Sequence, residues 1–258
     1  MKAIVREVSP ALLQCELTFV EREPIDLVRA RAQHEAYIKA LEAAGISVIT
    51  MPADPVLPDA VFIEDAAVVL DEVAVMTRPG SITRRQEVAA VAEVIGQYRT
   101  LESISEPGTL DGGDVLTIGR TCFVGLSSRT NPEGARQFAS VAVKAGYEVK
   151  EVPVTGCLHL KTAVTHLSDD LILINPAWVD RAFFDDYLCL KVAPNEPFAA
   201  NCLLLDGVAH ISASWPCTRR LLEECGLPTV YLEISEFEKA EAGLTCLSLL
   251  FDDSRSER

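Results

Sequence analysis

The sequence predicts an α/β fold: a ring of five ββαβ modules arranged as a propeller around one central site. Three observations lead there. Four short hairpins, each made of two apolar runs flanking a tight polar turn, recur with their centres at residues 71, 119, 169 and 206. A helical run and then a further β-rich run follow, so the repeated unit is strand, strand, helix, strand. A fifth unit can be assembled from the two chain ends, and a module shared by both termini closes a ring. Periodicity by itself also allows an ordinary mixed α/β sheet.

In chain order, residues 2–8 read as a strand, 25–44 as a long amphipathic helix and 47–51 as a strand. The first hairpin spans 66–76 around Asp71-Glu72 and leads to a helix over 84–98. The second spans 115–125 around Gly119-Arg120, with a helix over 132–147 and a strand over 148–154. The third, 163–175 around Asp169-Asp170, is followed by a shorter helical run over 178–187. The fourth, 202–211 around Asp206-Gly207, leads to a helix over 216–225 and a strand over 229–234. Residues 244–251 then read as a buried strand that returns to the first module. Such a ring has an axis, and polar groups from several modules converge on it.

The chain has 258 residues, 49% of them hydrophobic, and no low-complexity tract, so one domain over 1–258 is expected, with 253–258 as a trailing tail. Lys2 and Arg6 interrupt the start before any apolar segment can form, which reads as neither a secretory signal nor a membrane span and places the protein in the cytoplasm. Eight cysteines occur without a C-x-x-C pair. In a reducing compartment they are small buried hydrophobes, and neither a metal nor a cofactor is expected. The formal net charge of -15 argues against nucleic-acid and anionic-membrane partners. It suits a cationic small molecule, and equally a soluble monomer or homodimer.

Four segments carry candidate chemistry. Gly243-Leu244-Thr245-Cys246-Leu247-Ser248 puts a cysteine in a buried run, which taken alone is core packing. Leu158-His159-Leu160-Lys161-Thr162 places a histidine just before a strand, and taken alone it is a satisfied structural histidine. Leu110-Asp111-Gly112-Gly113-Asp114 is most simply a turn. Leu57-Pro58-Asp59-Ala60-Val61-Phe62-Ile63-Glu64-Asp65-Ala66 crowds three acids into an otherwise good buried strand. Buried carboxylates need a positive partner, which is either an arginine of the protein or a cationic ligand.

Together with Thr77-Arg78-Pro79-Gly80, Arg84-Arg85 and Arg129-Thr130-Asn131, these ordered segments resemble the dimethylarginine dimethylaminohydrolases of the guanidine-modifying (pentein) superfamily over nearly the whole chain. The resemblance implies a five-module propeller, in agreement with the repeat. It implies that Cys246 is a nucleophile, His159 a general acid and base, and Asp111 the acid that orients the histidine. It places the guanidinium at Asp65 with Glu64 beside it, the substrate α-carboxylate at Arg84 and Arg129, the α-amino group near Asp59, and Phe62 in the pocket wall.

The implied reaction is hydrolysis of free asymmetric dimethylarginine or monomethylarginine to citrulline and dimethylamine or methylamine, through a covalent thiouronium on Cys246. A deiminase acting on unmodified arginine and a non-catalytic amidine-binding module are the alternatives. A lid is expected within 17–24. Lys239-Ala240-Glu241-Ala242-Gly243 departs from the family's usual aspartate and glycine before the nucleophile, and Ala242 would take up a positive φ less easily than glycine.

Overall fold

The computed structural model describes residues 1–253; of the expected tail, only Asp253 falls within the described residues. Among them, fifteen strands form five three-stranded sheets of one topology. In each, the first strand pairs antiparallel with the second, and the second pairs parallel with the third. The first module joins Leu249–Phe251, Lys2–Arg6 and Ser47–Met51, so the two chain ends do share one sheet. The others follow in order: Ala67–Val69, Val73–Met76 and Thr100–Ser103; Val115–Ile118, Thr121–Leu126 and Glu148–Pro153; Val164–His166, Leu171–Ile174 and Leu188–Lys191; Leu203–Leu205, Val208–Ser212 and Thr229–Leu232.

Each gap between neighbouring modules holds one apolar cluster. Ile4, Ala74, Val91 and Leu249 fill the first, and Val75, Leu110, Val124 and Phe138 the second. Phe123, Leu160, Ile172 and Phe184 fill the third, Leu173, Ala209 and Leu222 the fourth, and Val5, Tyr37, Leu203 and Phe237 the fifth. A large apolar side chain fully buried contributes about 1.5–3 kcal/mol, so cohesion is spread around the ring. No module completes its core alone.

Local signals set the elements as read. Asp206 and Gly207 take φ of 47 and 74, the paired left-handed geometry of a tight hairpin. The helix Leu27–Ala43 starts where the Asp26 carboxylate accepts the N–H groups of Val28 and Arg29. Three stretches differ from expectation. The run over 178–187 condenses to a single turn, Arg181–Phe184, because a crossover this short leaves room for little more. The helix expected over 84–98 opens as a 3₁₀ turn, Thr83–Glu87, before the α-helix Val88–Ile95. A 3₁₀ turn eclipses residues i and i+3, and this stacks Arg84 on Glu87. Residues 57–66 are turns ending in the 3₁₀ helix Ile63–Ala66 rather than a strand.

The first strands of all five modules, through residues such as Val68, Leu116, Thr165, Leu203 and Leu250, line an axial cavity of about 340 Å³. Glu64 and Lys161 also line it and form an ion pair of 2.5 Å. Their chain neighbours Asp65 and His159 line a second cavity instead. Among the described residues, no helix is long and apolar enough to cross a membrane.

Candidate active site

Cys246 lies on a 3₁₀ turn, Thr245–Leu247, and not in the strand expected over 244–251, whose ladder begins at Leu249. Asn201 is the reason. Its side chain accepts the Thr245 N–H at 3.1 Å and donates to Thr245 Oγ1 at 3.0 Å, while that hydroxyl donates to Glu64 Oε2 at 2.9 Å. Gly243 permits this closeness, since a Cβ there would stand 2.3 Å from the Asn201 side chain. The Gly243 N–H in turn points at Cys246 Sγ, 3.4 Å away.

His159 is the residue before a short helix, Leu160–Ala163. Asp114 sets its backbone by accepting the Leu160 N–H at 2.9 Å, and Asp114 is itself held by the hydroxyls of Ser127 and Thr130. The imidazole Nε2 meets Asp111 Oδ2 at 3.0 Å and stands 3.8 Å from Asp65 Oδ1. Asp111 is fully buried and takes the Gly80 N–H at 2.8 Å. The ring packs on Gly113, where a Cβ would be 2.6 Å from Nδ1.

The positive partner of the acidic run is an arginine of the protein. Arg84 is 5% exposed and pairs with Asp65 and Glu87 at once. Its Nη2 also donates to the carbonyls of Phe62 at 2.9 Å and Asp59 at 3.3 Å, leaving one Nη1 hydrogen uncommitted. Asp65 accepts the Gly113 N–H at 2.9 Å as well. Arg129 is different. It is nearly buried, yet among the described residues its side chain makes only two long contacts, both 3.4 Å, to Glu16 Oε2 and Thr18 Oγ1.

Asp59, Phe62, Asp65, Arg84, Arg129, His159 and Cys246 thus line one cavity, with Asp111 directly behind the imidazole. Glu64 lies outside that lining, turned to Lys161 and Thr245 on the axial side of the Thr245–Leu247 turn. Glu241, in the segment that departs from the family pattern, also lines the cavity, as does Glu16, which nothing in its local sequence marked. Nor did local sequence mark Glu87 or Asn201, whose work depends on partners distant in the chain or on the 3₁₀ register. Ligand atoms of Asp65, Asp111 and His159 lie within 4.8 Å of one another, so a metal ion held there would compete with Arg84 for Asp65.

The loop 16–26 meets the cavity at Glu16, and its Thr18 reaches Arg129 and Glu241 on the cavity wall. Glu16 anchors its start: the backbone N–H donates to the Asp59 carboxylate and the side chain accepts from Ser81 Oγ at 2.6 Å. Only about 20 Å³ remains inside, room for about one water.

Burial acts against every charge here, and neighbours decide which survive. Burial alone would lower the His159 pKa, but Asp65, Asp111 and Asp114 outweigh it and bring it to about 9. Asp65 is held well below the usual carboxylate range by His159 and Arg84, against its own burial. Burial raises Asp59 to about 6 and Asp114 to about 6. Burial, with the charges of Glu64 and Asp65, pushes the Cys246 thiol up to about 12. The resting pair is therefore imidazolium beside neutral thiol, the reverse of a preformed thiolate. Alkylation of Cys246 by iodoacetamide, followed on its own peptide by mass spectrometry, should keep rising with pH to at least 10. A plateau near pH 7 would mean a thiolate already formed at rest.

The family model described as "N,N dimethylarginine dimethylhydrolase, eukaryotic" matches residues 18–183. A Streptomyces coelicolor protein named N(G),N(G)-dimethylarginine dimethylaminohydrolase is 42% identical over 96% of each chain. A solved structure of the Pseudomonas aeruginosa protein of that kind, a cysteine-to-serine mutant complexed with citrulline, is similar at TM-score 0.93 and 31% identity, covering 97% of this chain and 98% of that one. A histidine-to-glycine form carrying an S-methyl-L-thiocitrulline adduct is similar at the same TM-score and identity, over 97% and 99% of the two chains.

Proposed function

The chain belongs to the dimethylarginine dimethylaminohydrolase family, and from that premise we propose that it hydrolyses free N-methylated arginine to citrulline and the methylated amine. The observation that carries this reading is the convergence of Cys246, His159, Asp65 and Arg129 on one cavity, with Asp111 bonded to the imidazole.

A guanidinium is planar and resonance-stabilised, so its carbon is a poor electrophile until it is oriented. Asp65 holds it by its N–H groups, with Glu64 adding negative charge from behind the nucleophile turn. The cation in turn offsets the two carboxylates that keep Cys246 protonated, and the thiol proton passes to solvent. The thiolate attacks the guanidinium carbon to form a tetrahedral adduct. Imidazolium His159 protonates the departing dimethylamine as the carbon–nitrogen bond breaks, leaving a thiouronium on Sγ. The neutral imidazole then takes a proton from water, whose oxygen displaces the sulfur. Overall, guanidinium and water give a urea and an ammonium ion, so charge and atoms balance. Asp111 keeps the imidazole in one orientation throughout.

Arg129 is the cation free to take the α-carboxylate, Arg84 adding its one spare N–H, and Asp59 faces the α-amino group. Two such donors need a free carboxylate and exclude a peptide-bound methylarginine.

Steady-state assay of citrulline release tests the reading. Asymmetric dimethylarginine and monomethylarginine should both be turned over, with kcat/KM for unmodified arginine at least about tenfold lower. Preference for arginine would move the assignment to a deiminase, and absence of citrulline from all three would remove it.

A further inference from the structure

One side chain ties the loop above the cavity to the turn below it. The carboxylate of Glu241 accepts three consecutive backbone N–H groups of the loop: Thr18 at 2.7 Å, Phe19, and Val20 at 2.8 Å. Successive amides converging on one carboxylate form an anion nest, and charge-assisted bonds of this kind are about twice as strong as neutral ones. Glu241 itself sits at φ 60, whereas Ala242, which would take up a positive φ less easily than glycine, does not have one. A non-glycine residue in this region is strained and persists only where its surroundings insist on it. Two residues on, the same turn presents the Gly243 N–H to Cys246 Sγ. That N–H is a contact that favours the thiolate.

The volume of the site makes the connection matter. A cavity with room for about one water admits no amino acid until the loop lifts, and lifting it breaks all three bonds to Glu241. Glu16, bonded to Ser81 and Asp59, keeps the start of the loop in place.

We propose that Glu241 is a positioning residue that couples closure of the 16–26 loop to the aim of the nucleophile. With the loop down, the nest holds Glu241 in its left-handed conformation, and that conformation sets the Gly243 N–H against Cys246 Sγ. With the loop up, the turn relaxes and the sulfur loses its donor. The enzyme is therefore most reactive toward a guanidinium already enclosed. The longer glutamate side chain, where the family pattern has aspartate, supplies the reach to the loop amides. The proposal rests on Cys246 being the nucleophile.

Two substitutions separate the latch from the turn. Glu241→Gln keeps the length but replaces one acceptor oxygen with a donor, so it cannot receive three N–H groups. Glu241→Gly also removes the latch, yet adopts a positive φ without help. In both, hydrogen exchange at the amides of Thr18, Phe19 and Val20 should speed up at least about tenfold, and KM for methylarginine should rise by about the same factor. Glu241→Gln alone should also shift the Cys246 alkylation profile to higher pH, by about one unit. In Glu241→Gly that profile should stay with the unsubstituted protein.

Unchanged exchange in both variants would overturn the latch, and identical alkylation profiles in the two would overturn the coupling. Hydrogen exchange needs no turnover, so the latch is read even if alkylating Cys246 leaves activity intact. That last result would instead remove the catalytic reading on which the coupling depends.

Discussion

Cys246→Ser is expected to lower turnover of methylated arginine on the order of 10⁴-fold or more while leaving ligand affinity within about threefold. The thiol is already hard to ionise in this site, pushed up to about 12 by burial and two carboxylates. A serine hydroxyl in the same place is several orders of magnitude harder. His159, with its pKa raised to about 9, is protonated at neutral pH and cannot serve as the base that would rescue it. The groups assigned to binding, Asp65, Asp59 and Arg129, do not touch the sulfur through any hydrogen bond, so they remain as placed. Calorimetric titration with citrulline alongside a citrulline-release assay separates the two quantities. A variant retaining more than about a hundredth of the rate would argue for attack by water directly, and loss of affinity in step with rate would argue for a collapsed site.

Much of the ring was readable because its signals are local. Asp206-Gly207 announces a hairpin by residue type alone. Closure of the ring was readable from the arithmetic of modules, which leaves one unit short unless Lys2–Arg6 pairs with Leu249–Phe251. The segments that misled are those of the site. Residues 57–66 and 244–248 have the composition of buried strands and are buried, yet they are turns. What holds them there is the bonding of Asn201 to Thr245 and of Arg84 to Asp65, partners 44 and 19 residues away. Hydrophobic pattern registers burial and carries no trace of such pairings. Glu16 was invisible for the same reason, and Glu241 showed only as a departure from the family pattern: each meets its partners across the fold, from a loop and a turn that have no periodicity to read.

Arg84→Ala is expected to destabilise the protein by about 3–5 kcal/mol, the usual consequence of removing one member of a buried ion pair and leaving its partners charged and unmatched. Two carboxylates, Asp65 and Glu87, depend on this guanidinium, and both are almost fully buried. The loss should depend on pH, with a sign that follows from Glu87. Burial already raises its folded pKa from 4.5 to about 7, with Arg84 the main opposing influence. A carboxyl whose folded pKa exceeds its unfolded value binds more protons when folded, so stability falls as pH rises between the two. Without Arg84 the folded pKa of Glu87 moves higher still, and the deficit should be smaller at pH 5 than at pH 8 in urea unfolding. Arg129→Ala makes the comparison decisive, because its guanidinium holds only two 3.4 Å contacts. It should change stability by less than about 1 kcal/mol and raise KM by about 100-fold, the loss of a charge-assisted contact to the substrate carboxylate. If Arg84→Ala instead raised KM with stability unchanged, Arg84 would be a substrate clamp, and the ion pairs drawn for it would not hold in solution.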